Sequence, residues 1–206
     1  MSDTTLAVLI GGAGRRMGFA KCCLRIHNMP ILRFLHQQWA FDGPTMLVNA
    51  QDAAPPPGAE LFSRIVHDSA AGDGPLRGIH AALAHAATAA VLVVTVDMPA
   101  VLQRHLNFLR TAADRAPASA ADGIFLQRED HAFVDTFPCL LRRRLELRVR
   151  ELLDNGVRSV QPLAREPNMR ILAAPNWFMS ALSTNLNTPA DVAAFEAAHG
   201  DPDKEL

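Results

Sequence analysis

Between residues 9 and 21 the chain reads Leu9-Ile10-Gly11-Gly12-Ala13-Gly14-Arg15-Arg16-Met17-Gly18-Phe19-Ala20-Lys21. Four glycines within eight residues let a loop bend sharply and bring its backbone N–H groups close to a ligand. Inward-turned N–H groups form a concavity that holds phosphate. Arg15, Arg16 and Lys21 add positive charge beside it. This is the chemistry of a site for a nucleotide polyphosphate; a plain turn after a strand is the simpler reading of the glycines, but it does not call for three cations. Two familiar phosphate loops are excluded by spacing. The P-loop sets its lysine directly after a glycine, whereas Phe19 and Ala20 separate Gly18 from Lys21. The dinucleotide fingerprint has two residues before its last glycine; here three lie between Gly14 and Gly18.

Other residues gain meaning from the elements that must carry them. The apolar run Leu6 to Ile10 reads as a first buried strand feeding the glycine loop. Pro30 opens a helix whose apolar face is Ile31, Phe34, Leu35 and Trp39, ending near Phe41. Met46 to Val48 is a strand ending at Asn49, and Leu61 to Val66 a third, ending at His67-Asp68. A helix opens at Pro75 with Leu76, Ile79, Leu83 and Ala87 on one face. Val91 to Val96 is continuously apolar, as a central parallel strand covered on both faces should be. Asp97 follows it, where ligands bind in open α/β sheets; capping the next helix is its simpler role.

Farther on, the pattern predicts a helix over 102–113, strands over 123–127 and 132–137, and a helix marked by Leu141, Leu145, Val149 and Leu152 that ends at Asn155-Gly156. The arginines 142, 143, 144, 148 and 150 on it read first as a solvated face, with binding of an anionic cofactor as the alternative. A short helix over 157–164 and a strand over 169–173 follow. Thr188, Pro189 and Asp191 form a helix start with a capping box. That local physics leaves Asn185 and Asn187, just before the cap, unexplained. Alternating strands and helices imply parallel βαβ units, which bring the loop from Gly11 to Lys21 together with Asn49, Asp68 and Asp97 around one crevice.

With 206 residues, 49% hydrophobic, the chain suits one α/β domain over residues 1–200, with a frayed tail at 201–206. A net charge of -1 gives no sign of a general nucleic-acid binder. No apolar run reaches the ~20 residues that span a bilayer. Three cysteines without a Cys-x-x-Cys pair argue against a disulfide framework or zinc site. They point to a cytoplasmic protein that engages small molecules, not membrane.

The loop Gly11-Gly12-x-x-x-Arg16-Met17-Gly18-x-x-Lys21 resembles the signature of the molybdenum cofactor guanylyltransferases. The resemblance extends through Val48-Asn49-Ala50, His67-Asp68-Ser69, Gly74-Pro75-Leu76-Arg77-Gly78, Asp97-Met98-Pro99, Asn155-Gly156-x-Arg158 and Asn185-x-Asn187-Thr188-Pro189-x-Asp191. It implies a Rossmann-like nucleotidyltransferase fold, a mostly parallel sheet with helices on both faces.

The implied reaction transfers GMP from GTP to molybdopterin and releases pyrophosphate, with Mg²⁺ held by Asp97. Leu9, Ile10, Gly11 and Gly12 are then expected at the base and ribose, Arg16 and Lys21 at the phosphates, and Asn49, Asp68, Gly74, Pro75 and Leu76 around the nucleoside. Asn185 and Asn187 are expected on the pterin or metal side. Cofactor delivery proteins or a receiving molybdoenzyme are the implied partners. Gly14 stands where that family usually has a polar residue. Ala20 stands where it commonly has aspartate, leaving Lys21 without a neighbouring carboxylate to orient it. Two other readings stay open: a cytidylyltransferase acting on the same cofactor or on a sugar or polyol phosphate, and a nucleotide-binding module without catalysis.

Overall fold

The computed structural model describes residues 3–11, 17–68, 74–115, 121–129 and 131–200. In chain order it has β1 (Thr4–Leu9), the short pair β2 (Arg25–Ile26) and β3 (Met29–Pro30), α1 (Ile31–Trp39), β4 (Thr45–Asn49), β5 (Arg64–His67), α2 (Pro75–His85), β6 (Ala90–Thr95) and α3 (Gln103–Asp114). Then come β7 (Gly123–Gln127), β8 (Asp135–Arg142), α4 (Glu146–Asp154), α5 (Gln161–Ala164), β9 (Met169–Ala173), α6 (Met179–Ser183) and α7 (Pro189–Ala198). Seven strands form one sheet in the order β5-β4-β1-β6-β8-β7-β9, and β2 pairs with β3 separately. β8 runs antiparallel to both its neighbours; the other pairings in the sheet are parallel.

The side-chain period of two sorts the central strands between two cores. Leu6, Val8, Leu92 and Val94 face one core, which α1, α3, α6 and α7 cover with residues such as Leu35, Leu106, Leu182 and Phe195. Ala7, Leu9, Val91 and Val93 face the other, covered by α2, α4 and α5 through Ile79, Val149 and Leu163. This is why β1 and β6 are apolar at consecutive positions. Each such large side chain contributes about 1.5–3 kcal/mol by leaving water. The architecture is the mostly parallel α/β fold expected from the alternating pattern. Among the described residues no helix is long and apolar enough to cross a membrane.

Several boundaries differ from the sequence reading. The strand expected over 132–137 runs from Asp135 to Arg142, so Leu141 belongs to the sheet, and the helix begins only at Glu146. A short apolar run such as Cys139-Leu140-Leu141 fits either periodicity. Pairing with β6 on one side and β7 on the other decides for strand. The strand expected from Leu61 starts at Arg64, because Ala59–Leu61 makes a 3-10 turn after a left-handed Gly58. α2 stops at His85, so Ala87 lies beyond it. The short helix expected over 157–164 is confined to Gln161–Ala164. The tail at 201–206 lies outside the described residues.

Candidate active site

β1 and β6 lie side by side at the centre of the sheet, with β4 and β5 continuing beyond β1. Leu9 is the register partner of Thr95, and the Val96 N–H donates to the Leu9 carbonyl at 3.1 Å. Gly11 and Asp97 therefore leave adjacent strands at the same edge, the topological switch point where open α/β sheets bind ligands.

Lys21 starts a 3-10 turn, Lys21–Cys23. Buried Cys22 and Leu24 root that turn in the core. Burial, with the neighbouring Cys23 adding to it, pushes the Cys22 thiol up to about 11, so it acts as a small neutral anchor. The rooted turn aims Lys21 inward. Its Nζ donates to Asp97 Oδ2 at 2.5 Å and to Asn187 Oδ1 at 2.6 Å. The Lys21 and Asp97 side chains are 19% and 18% exposed, so the pair is partly shielded from water yet reachable.

Asp97 and Asn187 are themselves held. The Leu186 N–H donates to the Asp97 carbonyl at 2.9 Å. Past Asp97, Gln38 Nε2 donates to the Pro99 and Val101 carbonyls at 2.5 and 2.7 Å, and Trp39 Nε1 to the Val101 carbonyl at 2.9 Å. Helix α1 thus fixes the segment that follows β6. Asn187 is fixed by the capping box of α7. Asp191 Oδ2 accepts from the N–H groups of Asn187 and Thr188 at 2.9 and 2.7 Å, and the Asp191 N–H donates to Thr188 Oγ1 at 3.2 Å. Those backbone donors hold the Asp191 carboxyl below its usual range.

The other expected residues divide. Ile10 is buried and its N–H donates to the Val48 carbonyl at 3.0 Å. Gly11 is exposed, and a Cβ there would meet only ordinary contacts, the nearest 3.6 Å away at the Ala50 nitrogen. The packing of the chain around it does not require glycine at 11. Asn49 is buried and turned into its own loop, with Nδ2 donating to the Ala53 and Ala54 carbonyls at 3.3 Å and Oδ1 accepting from the Ala50 N–H at 2.9 Å. It shapes the edge of the crevice with its amide already engaged. Asp68 follows β5, its N–H donating to the Asn49 carbonyl at 3.0 Å. Asn185 donates to the Leu182 carbonyl at 3.4 Å, in the segment between α6 and α7 that also carries Asn187. Gly12 and Arg16 lie outside the described residues.

Gly74 caps α2 with φ +84°, and a Cβ there would come within 2.7 Å of the Arg158 carbonyl oxygen. Pro75 is exposed at the first helical position. Leu76 is fully buried in the core and its N–H donates to the Arg158 carbonyl at 3.3 Å, so its side chain serves packing and not contact with a ligand.

Known proteins fall in line with this geometry. A family model described as the MobA-like NTP transferase domain matches residues 6–167. The chain belongs to that family. A curated molybdenum cofactor guanylyltransferase of Vibrio cholerae is 28% identical over 203 residues, covering 96% of this chain and 94% of its own. A probable molybdenum cofactor guanylyltransferase of Opitutus terrae is 30% identical over 201 residues, covering 90% and 91%. Among solved structures, the molybdopterin-guanine dinucleotide biosynthesis protein A of Archaeoglobus fulgidus superposes with a TM-score of 0.75 at 22% identity, covering 94% of this chain and 97% of its own. A 2-C-methyl-D-erythritol 4-phosphate cytidylyltransferase of Thermus thermophilus shares the fold with a TM-score of 0.64 at 15% identity.

For a MobA-like transferase domain, two features correct or extend the sequence reading. Lys21 does have a carboxylate to orient it despite Ala20: Asp97 supplies it from 76 residues away. Asn187, expected on the pterin or metal side, stands against Lys21, the partner of Asp97. The scaffold role of Asp191 toward Asn187 and the backing of Gly74 by the Arg158 carbonyl were not visible in the chain. The capping box accounted for Asp191 completely, and a backbone carbonyl carries no residue signature.

Proposed function

We propose that the protein transfers GMP from GTP to the terminal phosphate of molybdopterin, and that the Lys21–Asp97–Asn187 cluster is its reaction centre. The observation that carries this reading is Lys21 Nζ held 2.5 Å from Asp97 and 2.6 Å from Asn187 at the switch point. An ammonium group has three donors. Two are spoken for among the described residues, and the third would meet a phosphate oxygen. In the reaction a phosphate oxygen of the acceptor attacks the α-phosphorus of GTP. The new P–O bond forms as the bond to the β-phosphate oxygen breaks, and pyrophosphate leaves with that electron pair.

Such a transfer needs positioning and charge stabilisation more than covalent help. Lys21 neutralises charge developing on the phosphates, and its rooted turn keeps it there without reorganisation. Gly11 lets the nucleotide lie against the end of β1, with Asp68 just past the end of β5, two strands away, and Gly74 and Pro75 at the start of α2 around it. Asn185 and Asn187 border the acceptor side.

The residues present fit Mg²⁺. Lys21 engages Asp97 through Oδ2, leaving Oδ1 as a hard oxygen ligand, and magnesium commonly takes one or two carboxylates with phosphates and waters completing its shell. Asp97 would hold it, and the ion would supply Lewis-acid neutralisation of phosphate charge. Among the described residues no group of three or more His, Cys, Asp or Glu side chains gathers to hold a metal by protein ligands alone.

The test is pyrophosphate release from GTP, CTP and ATP with Mg²⁺, with and without molybdopterin, for the native protein and Asp97→Ala. Release from GTP alone, only with the pterin, and lost in the variant, is the expected result. Release from CTP instead would transfer the protein to cytidylyl chemistry. Nucleotide binding with no release from any of the three would make it a binding module.

A further inference from the structure

At the opposite end of the sheet from Asp97 lies a second concavity. It is a groove of about 720 Å³ between the C-terminal half of α2 and the segment joining β8 to α4. Leu83, Ala84 and Leu147 contribute its apolar lining, and Arg142, Arg143, Arg144 and Arg150 its polar one. The topology sets it apart from the candidate active site. Ala89, which precedes β6, lines the groove, whereas Asp97 follows β6; six strand residues separate the two ends by about 20 Å. Helix α2 connects the regions, with Gly74 at its start and Leu83 and Ala84 near its end.

Arg143, Arg144 and Arg150 outnumber the one lining carboxylate, Glu146, while Arg142 Nη2 turns away to the Ala113 carbonyl at 3.4 Å. That concentration of positive charge stands out in a chain whose net charge is -1. Arg144 pairs with Asp122, and Arg150 with Glu146. The Arg143 side chain is exposed and has no partner among the described residues. Leu147 is 62% exposed beside it. An exposed leucine ringed by arginines has the make-up of a protein interface, with an apolar centre inside a charged rim.

We propose that this groove docks an acidic, amphipathic segment of a partner protein, a large apolar side chain covering Leu147 while a carboxylate meets Arg143. Two features favour a peptide over a small phosphate ligand. Glu146, shared by His80 at 2.9 Å and Arg150, sets a negative charge inside the groove. A small anion would also leave Leu147 uncovered. A nucleic-acid backbone is disfavoured because the next arginine along, Arg148, is already paired with Glu151 and Glu166 at 2.8 and 2.9 Å. The proposal is independent of the nucleotide chemistry.

The experiment titrates the full chain against a fluorescein-labelled peptide with leucine at helical spacing and glutamate elsewhere, read by anisotropy. A peptide with lysine in place of glutamate is the control. The expected result is saturable binding of the acidic peptide alone, weakened about tenfold by either Arg143→Glu or Leu147→Ser. Binding should weaken as ionic strength rises to about 0.15 M. It should be unchanged in Asp97→Ala and undisturbed by GTP. Both groove variants replace exposed side chains and should keep the native melting temperature. Absence of saturable binding overturns the proposal, as does native-strength binding by both groove variants. Displacement by equivalent inorganic pyrophosphate also overturns it, in favour of a small-anion site.

Discussion

Lys21 and Asp97 meet at 2.5 Å although 76 residues separate them in the chain. Of the twenty basic residues, only Lys21 and Lys204 are lysines; the rest are arginines. A compact ammonium on a flexible stem can swing between a carboxylate and a phosphate, which a planar guanidinium cannot do in the same space. The pair sets the two opposite charges against each other at the edge of the sheet.

The first prediction follows from that geometry. Lys21→Ala should lower turnover about a hundredfold or more, the scale seen when one preorganised donor to a developing charge is removed. Lys21→Arg should not restore it. The check is the rate of pyrophosphate release at saturating GTP, together with circular dichroism to show that the fold is kept. Near-native turnover in Lys21→Arg would argue that charge alone suffices and that the lysine is not poised as described.

Two glycines should respond in opposite ways. Gly11→Ala meets only ordinary contacts within the protein, the nearest at 3.6 Å, so stability should stay within about 0.5 kcal/mol of native while GTP affinity falls. Gly74→Ala imposes a side chain at φ +84° and a 2.7 Å approach to the Arg158 carbonyl. It should cost about 1–3 kcal/mol. Urea unfolding and GTP binding, measured on both variants, separate a residue shaped for the ligand from one required by the fold.

Much of this was legible in the chain because local physics and global fold agree. The continuous apolar runs at β1 and β6 announced strands buried on both faces, and Thr188-Pro189-x-Asp191 announced the start of α7, which the structure has as expected. Convergence of Gly11, Asn49, Asp68 and Asp97 followed from parallel topology. What composition could not reveal was direction. Asn49 ends β4 as expected, yet its amide turns back to Ala53 and Ala54. Leu76 sits in a motif beside the crevice, yet points into the core. The strand at Cys139 to Leu141 was hidden because a three-residue apolar run has no distinguishable period.

The start of α7 carries both a stability role and a positioning role, and two substitutions should divide them. Thr188→Ala removes the cap acceptor for the Asp191 N–H and should cost about 1 kcal/mol with modest effect on turnover. Asp191→Asn weakens the hold on the Asn187 N–H and should lower turnover more than stability. The Asp191 carboxyl titrates below its usual range because backbone N–H groups favour its charged form. Its contribution is therefore present above the unfolded value of about 3.9 and is lost as pH falls through the depressed native value. Wild type and Asp191→Asn unfolded in urea at neutral and acid pH should show the smaller pH dependence in the variant.

His105 gives the opposite kind of group, a fully buried imidazole at the start of α3. Its Nδ1 accepts from the Leu102 N–H at 2.7 Å, which requires the neutral ring. The ring stacks on Trp177 at 5.4 Å and lies 4.4 Å from Phe178. Burial lowers its pKa and the Arg104 charge lowers it further, while the Trp177 carbonyl acts in the opposite sense. A histidine held below its unfolded value of about 6.5 binds fewer protons in the native state than in the unfolded one. Stability is then complete above about pH 6.5 and declines as pH falls from there toward the native pKa, where protonation also breaks the bond to Leu102. His105→Gln keeps an acceptor for that N–H but cannot titrate. Urea unfolding between about pH 7.5 and 5.5 should show a decline in the native protein that is largely absent in His105→Gln. Equal slopes in the two proteins would assign the acid sensitivity to other groups.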